Sequence, residues 1–145
     1  VVGHNDAAPY NTVLGPDGPV GFIDWDVAGP ARPRWDLAFV AWSWLPLHHP
    51  ELGRELGGPG ESTQAGRLRL LCAAYGDTDP AGLLPLVADR VAVSRDGVRD
   101  GAELGDPVMV RLRDGGHLDA MDRTLRYLDA RLPELARELT AGPAG

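Results

Sequence analysis

Residues 12–23, TVLGPDGPVGFI, constrain the fold more than any other stretch of the chain. Thr12, Val13 and Leu14 precede the run Gly15-Pro16-Asp17-Gly18, and Val20, Gly21, Phe22 and Ile23 follow it. Pro presets the φ of a turn and Gly accepts positive φ without steric cost. β-Branched and aromatic flanks suit strands. The stretch therefore reads as a β-hairpin turning at 15–18. A hairpin also brings its outer ends together. Asn11 enters the first strand and Asp24 leaves the second, so the two are expected to be neighbours.

Most of the rest has helical periodicity. Residues 29–34, with two prolines, read as a loop. Leu37, Val40, Ala41 and Trp44 then share one helical face, with Pro46 marking the end of that helix. Residues 48–61 read as a linker. Ser62 or Thr63 is placed to cap a helix that runs to Tyr75 and closes at Gly76. Asp79-Pro80 reads as Ncap and N1 of a helix reaching about Arg99, with Leu83, Leu84, Val87 and Val91 as its apolar stripe. Gly105-Asp106-Pro107 restarts a short helix. Residues 115–140 form a long amphipathic one, kinked or broken at Pro133. The expected fold class is α+β: a small β-loop region, then a helical body. The 145 residues allow one domain with a real core.

Composition narrows the function. The net charge is −7, which argues against a nucleic-acid partner. No stretch reaches the roughly 20 apolar residues of a membrane span, and no secretory signal is visible, so no membrane partner is expected. Cys72 is the one cysteine, set in an apolar helical stretch. It reads as a buried thiol in a reducing, cytoplasmic setting. His48 and His49 are adjacent and lack partners at zinc spacing; they read as loop residues near a cleft. Trp35, Trp42 and Trp44 read as helix-packing residues. Arg90, Arg95, Arg99 and Arg111 read as a solvated helix face.

The chemistry gathers in the first 26 residues, at His4, Asp6, Asn11, Asp24 and Asp26. An amide oxygen at Asn11 beside a carboxylate at Asp24 suits a hard cation such as Mg2+, which keeps several waters and needs few protein ligands. Asp6 then remains free to accept a proton from an attacking hydroxyl. His4, Asp6 and Asn11 match the H-x-D-x-x-x-x-N catalytic-loop pattern of kinase-type phosphoryl transfer, and Asp24 falls where a second metal-binding Asp follows the next strand. His-x-Asp-x-x-x-x-Asn alone is a weak signal. With Ile23-Asp24-Trp25-Asp26 and Asp36-Leu37-Ala38 in order and at fitting spacing, it is strong.

On these residues, the stretch HNDAAPYNTVLGPDGPVGFIDWDVAGPARPRWDLAFVAW resembles the core of the aminoglycoside phosphotransferase family, small-molecule kinases of the protein-kinase-like fold. The resemblance covers residues 1 to about 45; the helical remainder carries no motif. It implies a protein-kinase-like C-lobe, with 1–45 holding the catalytic and metal loops and first helix, and 46–145 a helical subdomain. It implies transfer of the γ-phosphoryl group of ATP to a hydroxyl of a small-molecule alcohol. Asp6 would be the catalytic base, and Asn11 and Asp24 the Mg2+ ligands. His4 and Asp36 would support the loop, and Asp26 would touch metal or substrate. Glu61, Asp77 and Asp79 would favour a cationic acceptor.

Two departures leave the chemical groups intact. Asn5 replaces the usual Gly, and Asn is the least costly substitute where φ is positive. Ala7 stands where a larger apolar residue is common, which would loosen packing. A third is larger. Three residues precede His4, and the chain has no lysine and no Gly-rich phosphate loop. The N-lobe that would carry them is expected to be absent, consistent with a chain that opens on Val and reads as incomplete at its N-terminus. Residues 1–145 alone are expected to be inactive as a kinase. The alternative is a non-catalytic orphan lobe or binding module.

Overall fold

The computed structural model describes residues 1–45, 47–51 and 60–141. The expected hairpin is there. Strand β2 (Thr12–Gly15) pairs antiparallel with β3 (Gly18–Phe22), Thr12 facing Phe22 and Gly15 facing Gly18. Pro16 and Asp17 make the turn, and Gly18 takes φ +122°, which favours glycine. The register slips by one between Val13 and Leu14, which leaves Val20 as an extra residue in β3.

A second pairing was not expected from the prolines of 29–34. Strand β1 (Val2–Gly3) lies antiparallel to β4 (Gly29–Pro30). Each strand is two residues long, and Pro30, which has no N–H, is tolerated because the pair has open edges. The bridge ties the start of the chain to the segment leading into α1 (Pro33–Trp44), whose Pro33 occupies the first turn.

Among the described residues, the helices that follow include α2 (Gln64–Tyr75), α3 (Leu84–Glu103), α4 (Pro107–Asp114) and α5 (His117–Thr140). The protein is thus α+β, mostly helical, with a small two-stranded hairpin. Pro46 and most of the 48–61 linker lie outside the described residues, and Pro50 and Glu51 within it are helical. Several helix ends differ from expectation. Thr63 precedes α2, but its hydroxyl bonds the Gly60 carbonyl at 2.9 Å instead of capping. A 3-10 turn, Glu61–Thr63, leads into that helix in its place. Asp79 does cap, but through Gly82 N–H at 2.9 Å in the 3-10 turn Ala81–Leu83, so α3 starts later than Pro80 and runs past Arg99. Gly76 closes α2 at φ +84°, as read, and α4 restarts after Gly105 with Asp106 capping it through Val108 and Met109 N–H. Helix α5 continues through Pro133. Pro133 and Asp129 are both exposed, so water can serve the carbonyl that the proline cannot.

The core lies where α3 packs against α1 and α5. Ala38 and Ala41 of α1 are fully buried, small enough to admit a close approach. Leu37 and Phe39 join Leu68 and Cys72 of α2, Val87 and Val91 of α3, and Leu128 and Leu135 of α5. Burying each large apolar side chain contributes about 1.5–3 kcal/mol. No helix among the described residues is long and apolar enough to cross a membrane. This helical block supports one loop, residues 4–11, on the side where the hairpin opens.

Candidate functional site

Residues 4–11 pass from β1 to β2 and end in a 3-10 turn, Pro9–Asn11. Their backbone is held by side chains from elsewhere. Asp36, in the first turn of α1, accepts from His4 N–H at 2.9 Å and from Asn5 N–H at 2.8 Å. Gly3 makes room for this: a Cβ there would lie 2.8 Å from the Ala31 Cβ and 3.3 Å from the Asp36 Cγ. Asn5 has φ +61°, the left-handed conformation in which Asn is tolerated best after Gly.

His4 is buried at 4% exposure. Its Nδ1 accepts from Asp6 N–H at 3.3 Å and its Nε2 lies 3.0 Å from the Ile23 carbonyl, so the tautomer with the proton on Nε2 satisfies both. The ring packs against Phe22 and Trp25. His4 thereby joins the 4–11 loop to the segment that follows β3.

Asp6 has both oxygens engaged. Oδ2 accepts from Asn11 Nδ2 at 2.8 Å, and Oδ1 from the Tyr10 hydroxyl at 2.7 Å. Tyr10 was not picked out from the sequence, although it stands four residues after Asp6 in a turn-forming loop. Most of its ring is exposed. Desolvation at the hydroxyl, then the bond to Asp6, then the charges of Asp6 and Asp24, push its pKa up, so it stays a donor. Asn11 is buried and gives its Nδ2 to both the Asp6 carbonyl and Oδ2. Its Oδ1 accepts no hydrogen bond among the described residues.

The hairpin brings Asp24 to the same place. Ile23 N–H donates to the Asn11 carbonyl at 2.9 Å, so Asp24 follows directly at the hairpin mouth. Asp24 is exposed, has φ +61°, and makes no hydrogen bond or ion pair among the described residues. Asp26 sits exposed in the turn from Trp25 to Ala28, likewise without such a partner. The structure thus gathers His4, Asp6, Asn11 and Asp36 in one bonded network, with Asp24 beside it and Asp26 at its edge. Ala7 lines a cleft of about 310 Å³ together with His4, Phe22, Trp25, Leu37 and Tyr75.

Arg90 corrects the sequence reading. It does not lie on a solvated face: it is 9% exposed, and its Nη2 donates to the Asn5 carbonyl at 2.6 Å. Its guanidinium lies 5.4 Å from the Trp35 ring centre and 4.9 Å from that of Phe39. Burial lowers its pKa against the pull of Asp36, Asp6 and Tyr10. Position gave the signal: Arg90 falls inside the apolar stripe of α3, between Val87 and Val91, where a charge needs a buried partner. Arg95 and Arg99 do stay at the surface, paired with Asp96. The acidic residues read as favouring a cationic acceptor have structural partners. Asp77 pairs with Arg34 at 2.8 Å, Asp79 caps Gly82, and the charge of Glu61 acts on Tyr127. His48 packs on Trp42 and accepts from its Nε1 at 3.1 Å.

A family model described as the phosphotransferase enzyme family matches residues 1–86, more than half of the chain. The chain belongs to the phosphotransferase enzyme family. The match spans every residue of the 4–11 loop, the hairpin and α1 that this site uses, and it ends before Arg90. The trifolitoxin immunity protein of Rhizobium leguminosarum bv. trifolii is 38% identical over 76 residues, 52% of this chain and 29% of that relative. The match therefore spans under a third of the length of this phosphotransferase-family chain's curated relative. No solved structure matches it.

Proposed function

We propose that this chain is the C-terminal, acceptor- and metal-binding lobe of an ATP-dependent phosphotransferase that acts on a hydroxyl of a small molecule. The observation that carries this reading is the junction of three polar residues at the hairpin mouth. Asn11 bonds Asp6 through its side chain at 2.8 Å and receives Ile23 N–H on its backbone at 2.9 Å, with Asp24 next in sequence.

The donor set fits Mg2+. Both Nδ2 hydrogens of Asn11 are directed to Asp6, which leaves Oδ1 as an amide oxygen without a protein donor among the described residues. Asp24, which directly follows the Ile23 bonded to the Asn11 backbone, offers a carboxylate with no protein partner among the described residues. Two hard oxygens suffice for an ion that keeps waters and shares substrate phosphates. Asn11 and Asp24 would hold the ion, which when bound neutralises charge on the transferring phosphoryl group.

The protein's own part is orientation and proton transfer. Asp6 accepts the acceptor hydroxyl's hydrogen bond and takes its proton as the oxygen bonds to the γ-phosphorus and the bond to ADP breaks. Tyr10 and Asn11 hold the Asp6 carboxylate in place from its two oxygens. His4 and Asp36 hold the loop beneath it. Asp26 lies near enough in sequence to Asp24 to contact metal or substrate. Residues 1–145 contain no lysine, so they do not supply the kinase-type phosphate-binding Lys, and negligible ATP turnover is expected from them alone.

The test is Mn2+ binding to the chain, read by electron paramagnetic resonance in the presence and absence of ATP. Asp24→Asn and Asn11→Ala are expected to weaken binding by on the order of tenfold or more, since each removes one of two protein ligands. Equal affinity in wild type and both variants would sink the metal assignment. A binding module with no catalytic ancestry in its loops would show the same indifference to Asp6→Asn in acceptor binding.

A further inference from the structure

We propose that Arg90 is a positioning residue for Asp6, reaching from the helical body to hold the left-handed residue that precedes it. The inference rests on the reading of Asp6 given above, but its evidence is separate. The N–H and carbonyl of Asn5 and the N–H that follows each have a partner. The Asn5 N–H goes to Asp36 at 2.8 Å, its carbonyl to Arg90 at 2.6 Å, and the next N–H, of Asp6, to His4 at 3.3 Å. The Asn5 side chain adds a bond to the Val27 carbonyl at 3.1 Å.

The peptide between Asn5 and Asp6 is therefore gripped at both ends, by Arg90 on the oxygen and His4 on the nitrogen. Rotating that peptide would break both bonds and turn Asp6 away from Asn11 and Tyr10. The left-handed conformation at Asn5 is disfavoured for a side chain, so something must hold it. Asp36 and His4 belong to the same local motif as the loop. Arg90 does not: it stands 85 residues from Asn5 in sequence and beyond the 1–86 family match.

The guanidinium is built into this place. Nη1 donates to Ser94 Oγ at 2.9 Å, one turn along α3, while Nη2 reaches Asn5. Trp35 and Phe39, one turn apart on α1, lie against it. A planar group with two directed donors meets these demands together, and an ammonium does not. Asp36 and Asp6 supply the opposing charge that keeps a buried cation tolerable.

The test compares the wild-type chain with Arg90→Met, Arg90→Lys and the double variant Arg90→Met/Asn5→Gly. Amide hydrogen exchange is read by NMR, and Mn2+ affinity by paramagnetic resonance. In Arg90→Met, exchange at Asn5 and Asp6 is expected to rise about tenfold or more while α5 amides stay within about twofold. Mn2+ affinity is expected to fall about tenfold, the usual effect of losing an outer support. Asn5→Gly on that background should restore most of the affinity, because Gly needs no help to adopt positive φ. A role confined to packing against Trp35 and Phe39 would gain nothing from a glycine at position 5. Should Met unfold the chain, Arg90→Lys keeps the charge and much of the stem, and the same rise in exchange at Asn5 and Asp6 is expected. Wild-type exchange there in any folded Arg90 variant, or no restoration by Asn5→Gly, overturns the proposal. Failure of the wild-type chain to bind Mn2+ would count against the metal reading instead, with the exchange measurement still deciding the role of Arg90.

Discussion

Asp36 shows how one carboxylate can set a loop. Its two oxygens take two successive backbone N–H groups, of His4 and Asn5. Asp36→Asn replaces one oxygen with a donor that faces an N–H, so it removes a charge-assisted bond and strands that amide. A loss of about 2 kcal/mol is expected in urea unfolding; a loss below about 0.5 kcal/mol would show that water replaces the contact. The residues of this network that lie in or next to the loop were legible in the sequence, because the spacing from His4 to Asn11 and the placement of Asp24 and Asp36 form a pattern. Tyr10 and Arg90 were not. Tyr10 bonds Asp6 through a side chain that the pattern leaves open. Arg90 acts through a contact that exists only once α3 is docked.

Among the elements, the hairpin followed directly from Pro16, Asp17 and Gly18, because turn geometry is decided by a few adjacent residues. The helices were legible by period and less so at their ends. The short helix restarts at Gly105-Asp106-Pro107 as read; Thr63 and Asp79 instead serve 3-10 turns, since capping depends on the path by which the chain enters. The segment after α1 carries a pH dependence. Burial, and then the charge of neighbouring His49, lower the His48 pKa from 6.5 to about 4. Its Nδ1 accepts from Trp42, which favours the neutral ring. The unfolded chain takes a proton near pH 6.5 and the folded chain resists until about pH 4. Stability from this group is thus complete above pH 6.5 and falls as pH drops toward 4, by at most about 3 kcal/mol. His48→Gln keeps an acceptor for Trp42 without titrating. Its melting temperature should fall less steeply than wild type between pH 6.5 and 4, and parallel curves would refute the assignment.

At the scale of the whole molecule, the buried core belongs mainly to the helical body, and the hairpin's large apolar side chains are exposed. Leu14, Val20, Phe22, Ile23 and Trp25 are all exposed, and an apolar patch of this kind marks a surface that binds something or aggregates. The isolated chain is expected to enhance anilinonaphthalene sulfonate fluorescence and to self-associate as concentration rises, despite its net charge of −7. Leu14→Asn with Val20→Thr should reduce both effects; dye binding unchanged by that pair would place the apolar surface elsewhere. The sequence by itself made the hairpin and the helical body legible, and its motifs pointed to the family and to the candidate set His4, Asp6, Asn11, Asp24 and Asp36, because turn chemistry, helical period and motif spacing are short-range. Tertiary structure alone decided that Arg90 is buried against the loop and that Asp77 pairs with Arg34. Those outcomes depend on how helices distant in sequence pack, and a buried charge can be recognised as a partner only when the surface that buries it has formed.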